Sequence, residues 1–240
     1  IAAGFPASLW AIQQRSGWDV FIGIILMGFV VISLVVFVEQ SQRRIPVQYA
    51  KRMVGRRVYG GTSTYIPLKV NMAGVIPVIF ASSLMSLPML LAQFNQRADG
   101  NNPGWVDWIN ANLVSGDKPM YMALYIGLIL FFTFFYVSIT FNPTEVADNM
   151  KKYGGFIPGI RAGRPTAEYL SYVLTRITVP GAIYLALISL IPLIALVLVD
   201  ANQNFPFGGT SILIIVGVGL ETVKQIEAQL QQRHYEGFLR

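Results

Sequence analysis

Long apolar stretches alternate with polar loops along the whole chain. Five of them have the length expected of membrane helices: residues 20–38, 70–92, 120–141, 177–199 and 208–230. A helix needs about 20 apolar residues to cross the hydrocarbon core of a bilayer, and the first four stretches contain no Asp, Glu, His or Lys. The fifth is weaker, because its apolar run at 212–220 reaches that length only by extension into an amphipathic segment. The pattern therefore predicts five membrane-crossing helices.

Composition indicates the same class. Hydrophobic residues make up 54% of the sequence and charged residues 12%, whereas a soluble domain is about 25% charged. We therefore predict an all-α polytopic membrane protein. The absence of cysteine excludes a disulfide framework, a thiolate metal site and a cysteine nucleophile, and we expect no cofactor.

The loop at residues 39–69 sets the predicted orientation. It carries seven basic residues against the single acid Glu39: Arg43, Arg44, Lys51, Arg52, Arg56, Arg57 and Lys69. Loops this basic stay on the cytoplasmic side of a membrane. The sides of the other loops follow because successive helices cross in alternate directions. Inside, we expect residues 142–176 and the tail 231–240. Outside, we expect residues 93–119, 200–207 and 1–19, and this last segment begins with the end of a preceding helix.

The same loop predicts an ordered element. Ile45, Tyr49 and Met53 recur at helical spacing, which is typical of a segment that projects from the membrane with a fixed shape. One interpretation is a pure topology signal or an attraction to anionic lipid. The other is a docking surface for a large anionic partner, protein or RNA, since arginine forms bidentate contacts with carboxylate and phosphate.

A second ordered element is predicted in the loop at residues 142–176. Asn142 as N-cap, Pro143 at the first helical position and Glu145 in the first turn predict a helix that ends before Gly154. Beyond it, a loop rich in Gly and Pro presents Arg161 and Arg164. Arg161, between Gly159 and Gly163, is the best candidate for a contact residue.

A short helix is also predicted in the outer loop. Trp105, Trp108, Ile109 and Leu113 share one helical face. This face would lie in the outer membrane interface or, equally well, pack as a lid on the bundle.

The predicted spans lack the residues on which several functional classes depend. Ion-coupled transporters and pumps carry ionisable side chains inside the bilayer, and the first four spans carry none. The single histidine, His234, lies in the tail, so the spans have almost no side chains that could form an intramembrane metal centre or an acid–base pair. An enzymatic function is therefore disfavoured. Asn71 is a polar residue at a predicted helix start. It either makes an ordinary helix–helix hydrogen bond or lies at a seam that opens.

Several motifs resemble the SecY family, the central subunit of the bacterial protein-translocation channel. They are RRIPVQYAKR at 43–52, PLKVNMAGVIP at 67–77, FNP at 141–143, PGIR at 158–161 and FGGTS at 207–211. They cover the whole chain in order. The resemblance implies a ten-helix pseudo-twofold channel, of which this chain supplies the C-terminal half, with five transmembrane helices and the remnant of a sixth. By this resemblance, the first four helices, most of the fifth and the plug would lie outside this chain.

The resemblance also implies roles for individual residues. Spans 70–92 and 120–141 would form one side of a lateral gate with Asn71 as its polar residue, and Ile79 and Ile214 would belong to the hydrophobic pore ring. The docking residues for the motor ATPase SecA or the ribosome, including its RNA, would be Arg43, Arg44, Lys51, Arg52, Arg56, Arg57, Arg161, Arg164 and Tyr235. Implied partners are the SecE and SecG subunits, signal sequences, nascent chains and membrane lipid, in the bacterial inner membrane. Ala162 and Arg164 depart from the family pattern of proline and an acid at these positions.

Two other functions remain open at this point. One is half of a secondary transporter with broken helices, which the lack of intramembrane ionisable residues disfavours. The other is a non-conducting membrane scaffold that only docks a cytoplasmic complex. Crosslinking of a translocating chain near Ile79 would separate a channel from a scaffold, because docking is expected of both.

Overall fold

The fold is mostly helical, with two small β-sheets inserted near its start. The computed structural model describes residues 5–49, 52–54, 57–59, 63–96, 102–114, 118–199 and 209–235. The helices are α1 (Phe5–Gln40), α2 (Ile76–Asn95), α3 (Gly104–Asn112), α4 (Pro119–Thr140), α5 (Pro143–Lys152), α6 (Arg164–Val199) and α7 (Gly209–Tyr235). The strands are β1 (Gln42–Tyr49), β2 (Arg52–Val54), β3 (Arg57–Tyr59), β4 (Ser63–Lys69) and β5 (Gly155–Phe156).

Four helical segments among the described residues are long and apolar enough to cross a membrane. They lie in α1 at Phe21–Gln40, in α2, in the stretch that begins with α4, and in α6 at Arg164–Ile191. This confirms the predicted helical membrane fold. α7 is not among these four segments, and the fifth predicted span stays a prediction.

The helices extend beyond the predicted spans. α1 is continuous from Phe5, so the structure has a helix where we expected an outer loop before residue 20. The polar residues there, Gln13, Gln14 and Arg15, are good helix formers, and Gly17 is an isolated glycine that a long helix tolerates. α6 begins at Arg164 rather than near 177, while α2 begins only at Ile76 because residues 70–75 form turns.

The sequence predicts an ordered element with helical spacing at residues 45–54. The element is ordered, but the helical spacing is misleading, because this region is a β-hairpin. β1 and β4 are antiparallel, with Ile45 opposite Ile66 and Gln48 opposite Ser63, and the short pair β2–β3 continues the hairpin. Buried Ile45 and Val47 alternate with exposed neighbours along β1, which is the period of a strand with one covered face. The described fold therefore includes a small β extension beside the predicted helices.

The described residues form two large apolar clusters and a small one of Ala73, Val137 and Leu174. The bundle core joins the helices and includes Val35, Val78, Ile129, Leu185 and Leu213. The sheet core joins the hairpin to α5 and to the first half of α6, and its buried members are Ile45, Val47, Leu68, Met150, Ile157, Leu170, Val173 and Ile177. The sheet is thus anchored on helices that continue into the bundle.

The predicted helix after Asn142 is confirmed with its cap. The Asn142 Oδ1 atom accepts hydrogen bonds from the backbone N–H groups of Thr144 at 3.2 Å and Glu145 at 3.5 Å, which satisfies two donors that a helix start leaves open. Lys151 and Lys152 occupy the last turn, where positive charge favours the helix dipole. Gly154 then turns the chain with φ +70°.

The short helix predicted in the 93–119 loop is present as α3, and the residues of its predicted apolar face are partly buried and partly exposed. Val106 and Leu113 are buried and Ile109 packs on the bundle core, while Trp105 and Trp108 are about half exposed. α3 lies against α2 and α4. The tryptophans therefore face away from the bundle.

Candidate functional site

The first part of the candidate site is the turn that precedes α2. Asn71 is buried there, and its Nδ2 atom donates to Glu39 Oε1 at 2.5 Å and to the backbone oxygen of Gly74 at 3.2 Å. The N–H of Val70 donates to the backbone oxygen of Ser41 at 3.0 Å. Gly74 adopts φ +61°, a backbone conformation that favours glycine. The turn is thus tied to the end of α1 by a side-chain and a backbone hydrogen bond.

A glycine of α6 closes the other side of this turn. An added Cβ at Gly181 would lie 2.4 Å from the backbone oxygen of Val70 and 3.7 Å from the Cα of Asn71. α6 therefore contacts the backbone of the turn directly. Small residues permit this kind of close approach between membrane helices.

The next part of the site is the contact of the segment before α2 with α7. Lys69 Nζ lies 4.0 Å from a carboxylate oxygen of Glu221, and an added Cβ at Gly217 would lie 3.4 Å from Val75 Cγ2. As the chain advances from Lys69 to Val75, its contacts move backward along α7, so this segment runs antiparallel to α7. Continued through the first turn of α2, the same course would bring Ile79 and Ile214 to about the same level.

The surroundings of these two isoleucines differ. Ile79 is 42% exposed, beside buried Val78, which belongs to the bundle core. Ile214 is half-buried. Neither isoleucine is a fully buried core residue, so each has side-chain surface left for another occupant.

α2 also packs on α4. The rings of Phe80 and Phe132 stack with centroids 5.6 Å apart, and Val78 and Ile129 are both fully buried in the bundle core. The two helices therefore form one wall, with Asn71 just before its first turn.

The second part of the candidate site is a basic surface on the sheet side. Arg43 and Arg44 are exposed on β1. Arg161 is exposed between Gly159 at φ +84° and Gly163 at φ +104°, and its backbone oxygen accepts from Thr166 Oγ1 at 2.8 Å. The side chain of Arg161 forms no ion pair among the described residues, whereas Arg164 Nε lies 3.0 Å from Glu168 Oε1.

For the other predicted docking residues, the structure gives at most the position along the backbone. Arg52 and Arg57 lie on β2 and β3, which form the far end of the hairpin. Tyr235 is the last residue of α7. Lys51 and Arg56 lie outside the described residues.

A short strand connects the two basic loops. β5 pairs with the end of β1, with Gln48 opposite Phe156 and Tyr49 opposite Gly155. An added Cβ at Gly155 would lie 3.0 Å from Tyr49 Cε1, so the two chains meet closely. The hairpin and the Arg161 loop are therefore parts of one folded surface.

Sequence patterns missed Glu39, Gly181 and the pairing of β5. Glu39 stood out only as the lone acid of a basic loop, and Gly181 as a glycine beside a proline. Neither feature indicates a contact, because the partners are distant in sequence. No group of three or more possible metal ligands occurs in the described part of the chain.

The whole chain is similar to known proteins of one family. The SecY family model matches residues 1–223. The protein translocase subunit SecY of Streptomyces galbus is 70% identical over 244 residues, with all of this chain and 55% of that protein covered. The corresponding subunit of Micrococcus luteus is 60% identical and 56% covered. The chain thus spans about half the length of the curated relatives it matches.

Solved structures agree on the fold. One described as the structure of a protein conducting channel has a TM-score of 0.58 at 20% identity, with 92% of this chain and 53% of that one covered. Another, concerned with the plug domain of the SecY protein, has a TM-score of 0.54, also at 20% identity. The family model matches nearly the whole chain, and on this ground the chain belongs to the SecY family.

Proposed function

We propose that this protein is the channel-forming subunit of the Sec translocon. Unfolded secretory proteins would cross the bacterial inner membrane through it, and membrane proteins would leave it sideways into lipid. The observation that carries the proposal is the antiparallel course of the segment from Lys69 to Val75 along α7, which would bring Ile79 and Ile214 to about the same level. Branched apolar side chains at one level can form a constriction that dewets when empty. Such a pore needs no charge in its walls, and α2 and α4 contain no ionisable Asp, Glu, His, Lys or Arg.

The wall formed by α2 and α4 is proposed as one side of a lateral gate, with Asn71 as its polar residue. The rest of the pore ring and the opposite gate wall would come from the part of the protein that corresponds to the unmatched half of the relatives. Signal sequences and nascent chains would pass between the two walls into membrane lipid. SecE and SecG would complete the complex.

The basic surface is proposed to dock SecA or the ribosome, including ribosomal RNA. The exposed guanidinium of Arg161 can bind a carboxylate or phosphate through two parallel hydrogen bonds. Its two positive-φ glycine neighbours hold it at the tip of a tight loop. The other proposed contact residues are Arg43, Arg44, Lys51, Arg52, Arg56, Arg57, Arg164 and Tyr235.

The channel is tested by photocrosslinking in the full-length protein. With a photoreactive amino acid at position 79, a stalled precursor should be crosslinked during translocation. Position 84 is the matched control, because Leu84 is also 42% exposed but lies about 140° further round α2. Precursor crosslinks at both positions alike, or at neither, would contradict the pore role of Ile79.

The docking role is tested by charge reversal. Arg161→Glu should weaken SecA or ribosome binding to membrane vesicles by about tenfold or more, because a charged hydrogen-bonded contact is lost, and SecA-driven precursor import should fall with it. Lys224→Glu is the control, since it reverses an exposed positive charge on α7 that is not among the proposed docking residues. Equal losses in the two variants would mean that net charge, and not Arg161, is recognised.

A docking scaffold is the second candidate function. The exposed basic surface favours it as much as it favours the channel. The crosslinking experiment decides between them, because a scaffold would bind SecA or the ribosome without a precursor reaching position 79.

A further inference from the structure

We propose that Glu39 is a positioning residue, which holds Asn71 and with it the turn before α2 against α1 and α6. The inference rests on the proposed function in that it takes Asn71 as a lateral-gate residue. Its structural basis is the 2.5 Å hydrogen bond from Asn71 Nδ2 to Glu39 Oε1, which joins residues 32 positions apart.

The position of Glu39 in the structure does not by itself favour a charged carboxylate. It lies in the last turn of α1, which ends at Gln40, and a negative charge there opposes the helix dipole. It is also partly buried, which costs hydration of the carboxylate. The Asn71 amide is a contact that offsets this cost among the described residues.

The polar group around Asn71 is incompletely satisfied. The Asn71 Oδ1 and Tyr184 Oη atoms are buried and have no hydrogen-bond partner among the described residues. Unpaired buried polar atoms are costly. The Glu39 contact is the side-chain hydrogen bond that ties Asn71 to another element, so its loss should loosen the turn.

The contacts of the Asn71 side chain differ from those that hold the backbone of the turn. Gly181 presses on the Val70 backbone from the α6 side, and Ser41 accepts from the Val70 N–H on the α1 side. These two contacts hold the backbone but not the Asn71 side chain, whose amide is held by Glu39 and by the Gly74 backbone oxygen of the same turn. A Glu39 variant without an acceptor would thus leave the fold standing while removing the bond that ties the Asn71 amide to α1.

The test is hydrogen–deuterium exchange of peptides spanning residues 70–75 in the full-length protein complex in lipid. Glu39→Leu should speed exchange there by about tenfold or more. Glu39→Gln keeps an acceptor oxygen and should restore slow exchange. Asn71→Leu combined with Glu39→Leu should add little to either single change, because the two side chains act through one contact.

Two controls make the outcome decisive. Tyr184→Phe removes an oxygen without a partner and should not accelerate exchange, and Glu168→Leu removes an exposed acid on α6 far along the chain. The proposal is overturned if Glu39→Gln exchanges as fast as Glu39→Leu, or if Tyr184→Phe does. Precursor import is measured on the same samples: fast exchange with unchanged import would reject Asn71 as a gate residue while the positioning role of Glu39 stands.

Discussion

Gly181→Ala is expected to destabilise the full-length protein by about 1–3 kcal/mol or more, the range of overpacked sites. The new methyl group would lie 2.4 Å from the Val70 backbone oxygen, a contact that no side-chain rotation can relieve. Either α6 must move away or the turn before α2 must shift. The measurement is the unfolding midpoint of the purified protein in detergent, together with its steady-state level in the membrane.

Gly127→Ala is the matched control for this change. Gly127 lies inside α4, and an added Cβ there meets nothing within 4 Å. Alanine is favoured over glycine within a helix by about 0.5–1 kcal/mol, so this variant should be as stable as the parent or slightly more so. A Gly181→Ala protein that unfolds at the same temperature as the Gly127→Ala protein would contradict the close contact between α6 and the turn.

The features that sequence predicted best are those written in short, local patterns. The uncharged apolar runs identified helices α2, α4 and α6, because burial in lipid leaves few alternatives to a helix. The start of α5 was predicted to the residue, since Asn142 and Pro143 act on backbone groups only two or three positions away.

The hairpin shows why a local pattern can also mislead. Ile45, Tyr49 and Met53 fit a helical period, yet Ile45 and Val47 equally fit the strand period. The choice is made by β4, which lies some twenty residues further on and pairs with β1 along its length. Pro46 removes one backbone donor and disfavours a helix interior, and this signal was available in the sequence.

The contacts of the candidate site could not be predicted in this way. The partners Glu39 and Asn71 are 32 residues apart, and Gly181 meets Val70 from a different helix altogether. Such contacts depend on how whole helices cross, which a single sequence does not encode as a repeat. The antiparallel course of the Lys69–Val75 segment along α7, from which the proposed level of Ile79 and Ile214 follows, likewise depends on contacts between distant residues.

Val47→Asp is expected to unfold the hairpin locally, at a cost of about 3–5 kcal/mol, the penalty of an uncompensated buried charge. Val47 is 1% exposed and belongs to the sheet core. Because β5 pairs with the end of the same strand, the Arg161 loop should lose its support as well. Trypsin should then cut the basic loops much faster in membrane vesicles, and SecA or ribosome binding should fall even though no arginine has been changed.

Gln48→Asp tests whether the effect of Val47→Asp arises because Val47 points to the covered face of a strand. Gln48 is the next residue on β1 and its side chain is exposed, so the same acidic group placed there should leave protease resistance near that of the parent. A helix at this position would place residues 47 and 48 only about 100° apart, and the two variants would then differ little. A large difference between neighbouring positions is what a strand with one covered face requires. Similar trypsin sensitivity in both would count against the sheet as the support of the docking surface.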